Sequence, residues 1–132
     1  MAHRVSAEEL MCVGRNRALG AQAGLQCRVL YGEVQDELSY GPDLGYVGRA
    51  DYDVLCNAVN QLNHDINSSL GDDQPAVQGI PQKNPAWTTK SLAHIDKNLI
   101  RTWETRLESL LANARQLMDE LGNEHYLAAD DN

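Results

Sequence analysis

Residues 88–121 read TTKSLAHIDKNLIRTWETRLESLLANARQLMDEL, and apolar side chains recur in them at Leu92, Ile95, Leu99, Trp103, Leu107, Leu110, Ala114, Leu117 and Leu121. The eight steps are of three or four residues and cover 29 positions, a mean of about 3.6, the period of a straight α-helix and not the 3.5 of a coiled coil. The stretch is read as one long helix, opened by Asn84-Pro85 or by Thr88 and Thr89 and closed by Gly122. Ile100, Leu111 and Met118 lie beside the main stripe and widen it, which places this helix centrally, against two neighbours. Its outer side carries Asp96, Lys97, Arg101, Glu104, Arg106, Glu108, Arg115 and Asp119 in mixed sign, with Asp96 near Arg101, and reads as a solvated face.

Upstream, Ser6-Ala7-Glu8-Glu9 has the form of a capping box. The stripe that follows it runs through Leu10, Val13, Gly20, Gly24, Cys27, Leu30, Val34 and Leu38, so one helix, or two with a kink near the glycines, is expected over about 7–38. Its middle is built from small residues (Gly14, Ala18, Gly20, Ala21, Ala23, Gly24), at a cost of ~1 kcal/mol for each glycine relative to alanine. Close approach by another helix is the physical reason favoured for them. Tyr40 to Gly48 then carries loop chemistry, and a second helix is expected over 52–69, capped by Ala50 or Asp51 and stopped by Gly71.

Residues 72–85 contain Pro75, Pro81 and Pro85 without a helical period and predict a long Pro-rich connection, in which Val77 and Ile80 dock on the core as a strap. Residues 122–132 read as a tail. The fold class expected is all-α: a single domain over 1–132 formed by a bundle of three main helices at about 7–38, 52–69 and 88–121. The outer two would span roughly 45 Å and the middle one only ~27 Å, too short to shield both partners. Either the strap or a second copy covers the remainder, and self-association is the favoured reading.

Composition sets the class of object. The chain has 132 residues, 42% hydrophobic, with no Phe and two Trp, so its interior is expected to be aliphatic and helical. No apolar run of the ~18 residues that a membrane span needs is present and the start is polar, which predicts a cytoplasmic protein. Cys12, Cys27 and Cys56 are odd in number and widely spaced; they read as reduced, small hydrophobes. The net charge of −8 is uneven: residues 1–30 hold four arginines against two glutamates, whereas residues 31–132 hold seven basic and seventeen acidic groups. An acidic body disfavours direct nucleic-acid binding and favours a partner with a basic surface.

Candidate chemistry is sparse. Glu33, Asp36 and Glu37 share a helix face and would suit Mg²⁺ through oxygen ligands, the device of all-α nucleotide pyrophosphohydrolases. That device needs a second Glu-x-x-Asp pair, and Asp51, Asp53 and Asp65 lack the spacing, so solvated charge is the preferred reading. His64-Asp65 has no further ligands in pattern with it, and no nucleophile elbow or phosphate loop occurs. No cofactor is expected.

The unusual feature is on the second helix, where Asn57, Asn60, Gln61, Asn63, His64 and Asn67 occupy positions that ordinary helices fill with Glu and Lys. Side-chain amides both donate and accept, so this face is the candidate for protein contact, or for a polar seam inside a dimer. The expected function is a non-enzymatic protein-binding module, self-associating, acting as an adaptor or inhibitor. One sharper alternative is an acidic anti-defence inhibitor of phage or plasmid type that fills the basic nucleic-acid groove of its target. The other is a Mg²⁺-dependent nucleotide pyrophosphohydrolase.

Overall fold

The computed structural model describes residues 24–83 and 85–130. The expected helix over 7–23, with its capping box, and Cys12 lie outside the described residues. All the regular elements among the described residues are helices, so the chain is all-α: α1 over 24–39, α2 from Ala50–Ser69, a single turn α3 from Thr89–Leu92, and α4 from Lys97–Asp130. Their buried faces meet in one apolar core.

In α1, Cys27, Leu30, Tyr31, Val34 and Leu38 recur at helical spacing and are buried. The helix stops where Gly41 must be a glycine: a β-carbon there would sit inside the ring of Tyr52. The Tyr52 hydroxyl donates to the Leu38 carbonyl, which ties the start of α2 to the end of α1. Gly24 supports the close-packing reading at that one position, because an added β-carbon would lie 3.1 Å from Leu92 Cβ and 3.3 Å from the Thr89 carbonyl.

The second helix begins two residues earlier than expected, after Arg49, which makes no side-chain cap. Asp51 and Asp53 in the first turn complement the helix dipole, and Asp53 also accepts from the Gly48 amide at 3.2 Å. The expected stop is met. Gly71, at φ +88°, lets its own amide reach the Ser68 carbonyl and the Asp72 amide reach that of Asn67, which satisfies the last turn.

The long third helix is not continuous. Thr88 and Ser91 form a reciprocal capping box around α3, the chain turns through Ala93–Asp96, and α4 starts afresh with Asp96 Oδ1 accepting from the Asn98 amide at 2.7 Å. Asp96 is therefore a cap and not a partner of Arg101. After the turn Trp103, Leu107, Ala114 and Leu121 of the expected stripe are buried, with Ile100 and Leu111 beside them, whereas Leu99 is exposed. Gly122 does not end the helix and 122–130 is not an unstructured tail, since α4 continues to Asp130.

Between α2 and α3 the described residues form no helix, and this connecting strap packs on α1 and α2 through the contacts below. It docks through Trp87 rather than through Val77 and Ile80, which are half-buried and exposed respectively. Trp87 is 2% exposed and packs edge-on against Tyr31 at 5.7 Å between ring centroids. Its indole N–H donates to Asn63 Oδ1 at 2.6 Å. Three carbonyls of the strap accept from side chains: Gly79 from Asn60 Nδ2 at 2.7 Å, Gln82 from the Tyr31 hydroxyl at 3.0 Å, and Trp87 from Arg28 Nη1 at 3.2 Å. A segment without ladder hydrogen bonds needs such partners, and prolines reduce the number of donors to be satisfied.

Two stability predictions follow from this anchoring. Asn63→Ala, which leaves the indole N–H buried without an acceptor, costs about 1–3 kcal/mol, and Trp87→Ala, which empties the slot, costs about 3–5 kcal/mol. Gly41→Ala drives a methyl into Tyr52 and costs about 1–3 kcal/mol. Urea unfolding of each variant measures these, and an unchanged midpoint for Trp87→Ala would show that the strap does not anchor there.

Candidate functional site

The six residues of the expected amide face do not form one surface. Asn60 and Asn63 are 2% and 3% exposed and are spent inside the chain on the strap. Asn67 is half-buried, and its backbone carbonyl closes the end of α2. His64 is half-buried, with Nε2 3.5 Å from Ser68 Oγ. Only Asn57 and Gln61 are exposed, and Gln61 Nε2 donates to Asp65 Oδ1 at 3.0 Å. The helix period explains the division: Asn60, Asn63 and Asn67 follow one another by three and four residues toward the strap, whereas Asn57 and Gln61 lie four apart on the solvent side.

What remains exposed on α2 has another character. From Val54 to His64 the helix contains no Asp, Glu, Lys or Arg, and Val54 is 66% exposed. On one flank of this strip a cleft of about 390 Å³ opens between α2 and the loops, lined by Val47, Tyr52, Asp53, Cys56, Asn57 and Ile80. On the other flank two shallow hollows follow the seam between α2 and α4 and share Ala58 and Leu110. Sequence reasoning singled out the amides. The signal for this surface was the charge-free run from Val54 to His64, with small residues at the seam.

The acidic group proposed for Mg²⁺ is dispersed in use. Glu33 faces Arg115 at 3.8 Å, and Asp36 is exposed. Among the described residues, no group of three or more His, Cys, Asp or Glu side chains is placed to hold a metal ion. Across the bundle, Arg106 pairs with Asp65 at 3.3 Å and Arg49 with Glu124 at 3.0 Å; both pairs are solvated and contribute little stability. No helix among the described residues is long and apolar enough to cross a membrane.

Cys27 and Cys56 are free thiols, both buried. Burial pushes Cys27 up to about 12, with the charge of Glu104 adding to the effect, and its Sγ lies 3.8 Å from the Ile100 carbonyl. Burial likewise raises Cys56, with Asp53 adding and the Tyr52 hydroxyl opposing. Tyr31 is pushed up to about 12 by burial alone, and burial also raises Tyr52. None of these groups is primed as a nucleophile or base.

Their linkage to folding has a definite sign. The folded chain holds Cys27 and Tyr31 neutral beyond their ordinary 9.0 and 10.0, so unfolding releases protons at high pH. The stability that these two groups contribute is fully present below pH 9 and is lost as pH rises toward about 12. Denaturant midpoints across that range, compared with those of a Cys27→Ala/Tyr31→Phe variant, should show a shallower alkaline loss in the variant; equal slopes would discard the assignment. Set beside known proteins, the chain matches no protein-family model, no curated protein and no solved structure.

Proposed function

We propose that this protein is a non-enzymatic, cytoplasmic protein-binding module: a bundle of three main helices that associates with itself and acts as an adaptor or inhibitor. The observation that carries the reading is the exposed flank of α2, free of charged residues from Val54 to His64 and holding Val54, Asn57 and Gln61 toward solvent. Depletion of charge, with apolar and amide groups in its place, is the compositional mark of an interface core. A helix that served only to face water would carry Glu and Lys there.

The net charge of −8 favours a partner with a basic surface. Asp43, Asp73, Glu108, Asp119 and Glu120 are exposed and make no ion pair among the described residues, which leaves acidic groups free to meet a basic surface. This supports the inhibitor variant, in which the protein fills a basic nucleic-acid groove and excludes the true ligand.

Affinity capture from a host lysate with the full chain as bait tests the proposal, run beside an Asn57→Arg/Gln61→Arg bait. Both positions are solvated, so the variant keeps its unfolding free energy to within about 0.5 kcal/mol. A protein held by the wild type in fixed stoichiometry and lost with the variant is the expected result, with retention falling steeply as salt rises if the partner is basic. Identical captures from the two baits would remove α2 as the contact surface.

A further inference from the structure

We infer that the seam between α2 and α4, on the side away from α1, seats a second copy of this chain in antiparallel register, with Asp51 of each copy against Arg106 of the other. The inference rests on the self-association proposed above and gives it a surface and a geometry.

The two helices of the seam run antiparallel, since Asp65 meets Arg106 near one end and Arg49 meets Glu124 near the other. The two hollows along the seam, about 390 and 440 Å³, join at Ala58 and Leu110 into one groove. Its apolar lining comes from Val54, Leu55, Ala58, Leu110 and Leu117. On α4 it extends from Thr105 to Leu117, a length of about 18 Å at 1.5 Å per residue, or three helical turns. Ala58 lies near the middle of the groove on α2, where a small side chain permits close approach of another backbone.

Among the described residues only two charged side chains line this groove, and they stand at opposite ends: Asp51 beside Leu117, and Arg106 beside Gln61. Asp51 and Gln61 are separated by ten residues of helix, about 15 Å. A two-fold axis through the middle of the groove exchanges its ends, so the acid of each copy falls on the base of the other, twice. Parallel stacking would instead place Asp51 on Asp51 and Arg106 on Arg106. Among the described residues Asp51 has no ionic partner, and Arg106 holds Asp65 only in a half-exposed pair that is readily exchanged. The two-fold match is also closed, so it stops at a dimer.

The test is sedimentation equilibrium of the full chain with a charge-swap cycle. The wild type is expected to be a dimer. Asp51→Arg and Arg106→Asp each set like charges against each other twice and weaken the dimer by roughly tenfold or more, whereas Asp51→Arg/Arg106→Asp together restore it. Ala58→Glu, whose side chain enters the groove and not the core, is expected to give a folded monomer, with helicity followed by circular dichroism. A monomeric wild type overturns both this inference and self-association. A dimer that survives both single swaps and Ala58→Glu overturns the groove and leaves self-association to another face.

Discussion

The hydrogen bond between the Trp87 indole and Asn63, inside the apolar core, is the interaction on which the rest of the arrangement turns. The connection between α2 and α3 forms no ladder and has to be held by side chains. Trp87 supplies the largest buried surface in it, and Asn63 gives its one polar atom an acceptor, so the ring can be fully enclosed. With Trp87 fixed against Tyr31, the strap lies within reach of Arg28, Tyr31 and Asn60, which accommodate three of its carbonyls. The start of α3, two residues beyond Trp87, and the packing of Leu92 on Gly24 follow from where that ring sits.

This constraint divides α2 into two polar surfaces with opposite uses. On the strap side, Asn60 and Asn63 serve the chain itself, and a charged residue at either place would carry an uncompensated burial cost. On the solvent side, Asn57 and Gln61 flank Val54 and the half-buried Ala58, and the exposed positions among them would accept Glu or Lys as far as the described residues go. An unforced absence of charge in a chain of net charge −8 is more informative than the forced one. The same amide composition therefore marks internal stapling on one face and, in the function we propose, a contact surface on the other.

Much of the fold is legible in the sequence because it depends on local chemistry. Gly71 ends α2 through its positive φ, Thr88 with Ser91 caps a turn, and the apolar periods of α1 and α2 name most of their buried residues. The break at Ala93–Asp96 was hidden because Leu92, Ile95 and Leu99 keep helical spacing straight across it, with no Gly or Pro to mark it. Asp96 was the available sign, a good N-cap residue directly before a strong helical run. At the start of α4 Ile100 is buried in place of Leu99, and from Trp103 onward the expected stripe is kept at Trp103, Leu107, Ala114 and Leu121.

By itself, the sequence determined the helical class, the C-terminal stop of the second helix, the reduced character of its buried thiols and the acidity of the body, since each depends on residue type and short-range spacing. Only the tertiary structure decided which asparagines face inward, that Trp87 is the anchor of the strap, and which seam carries hollows among the described residues. Those outcomes depend on contacts between residues far apart in the chain, such as Asn63 with Trp87 and Tyr31 with Gln82. An amide reads the same along the chain whether its partner is solvent, another protein or a carbonyl that packing brings beside it.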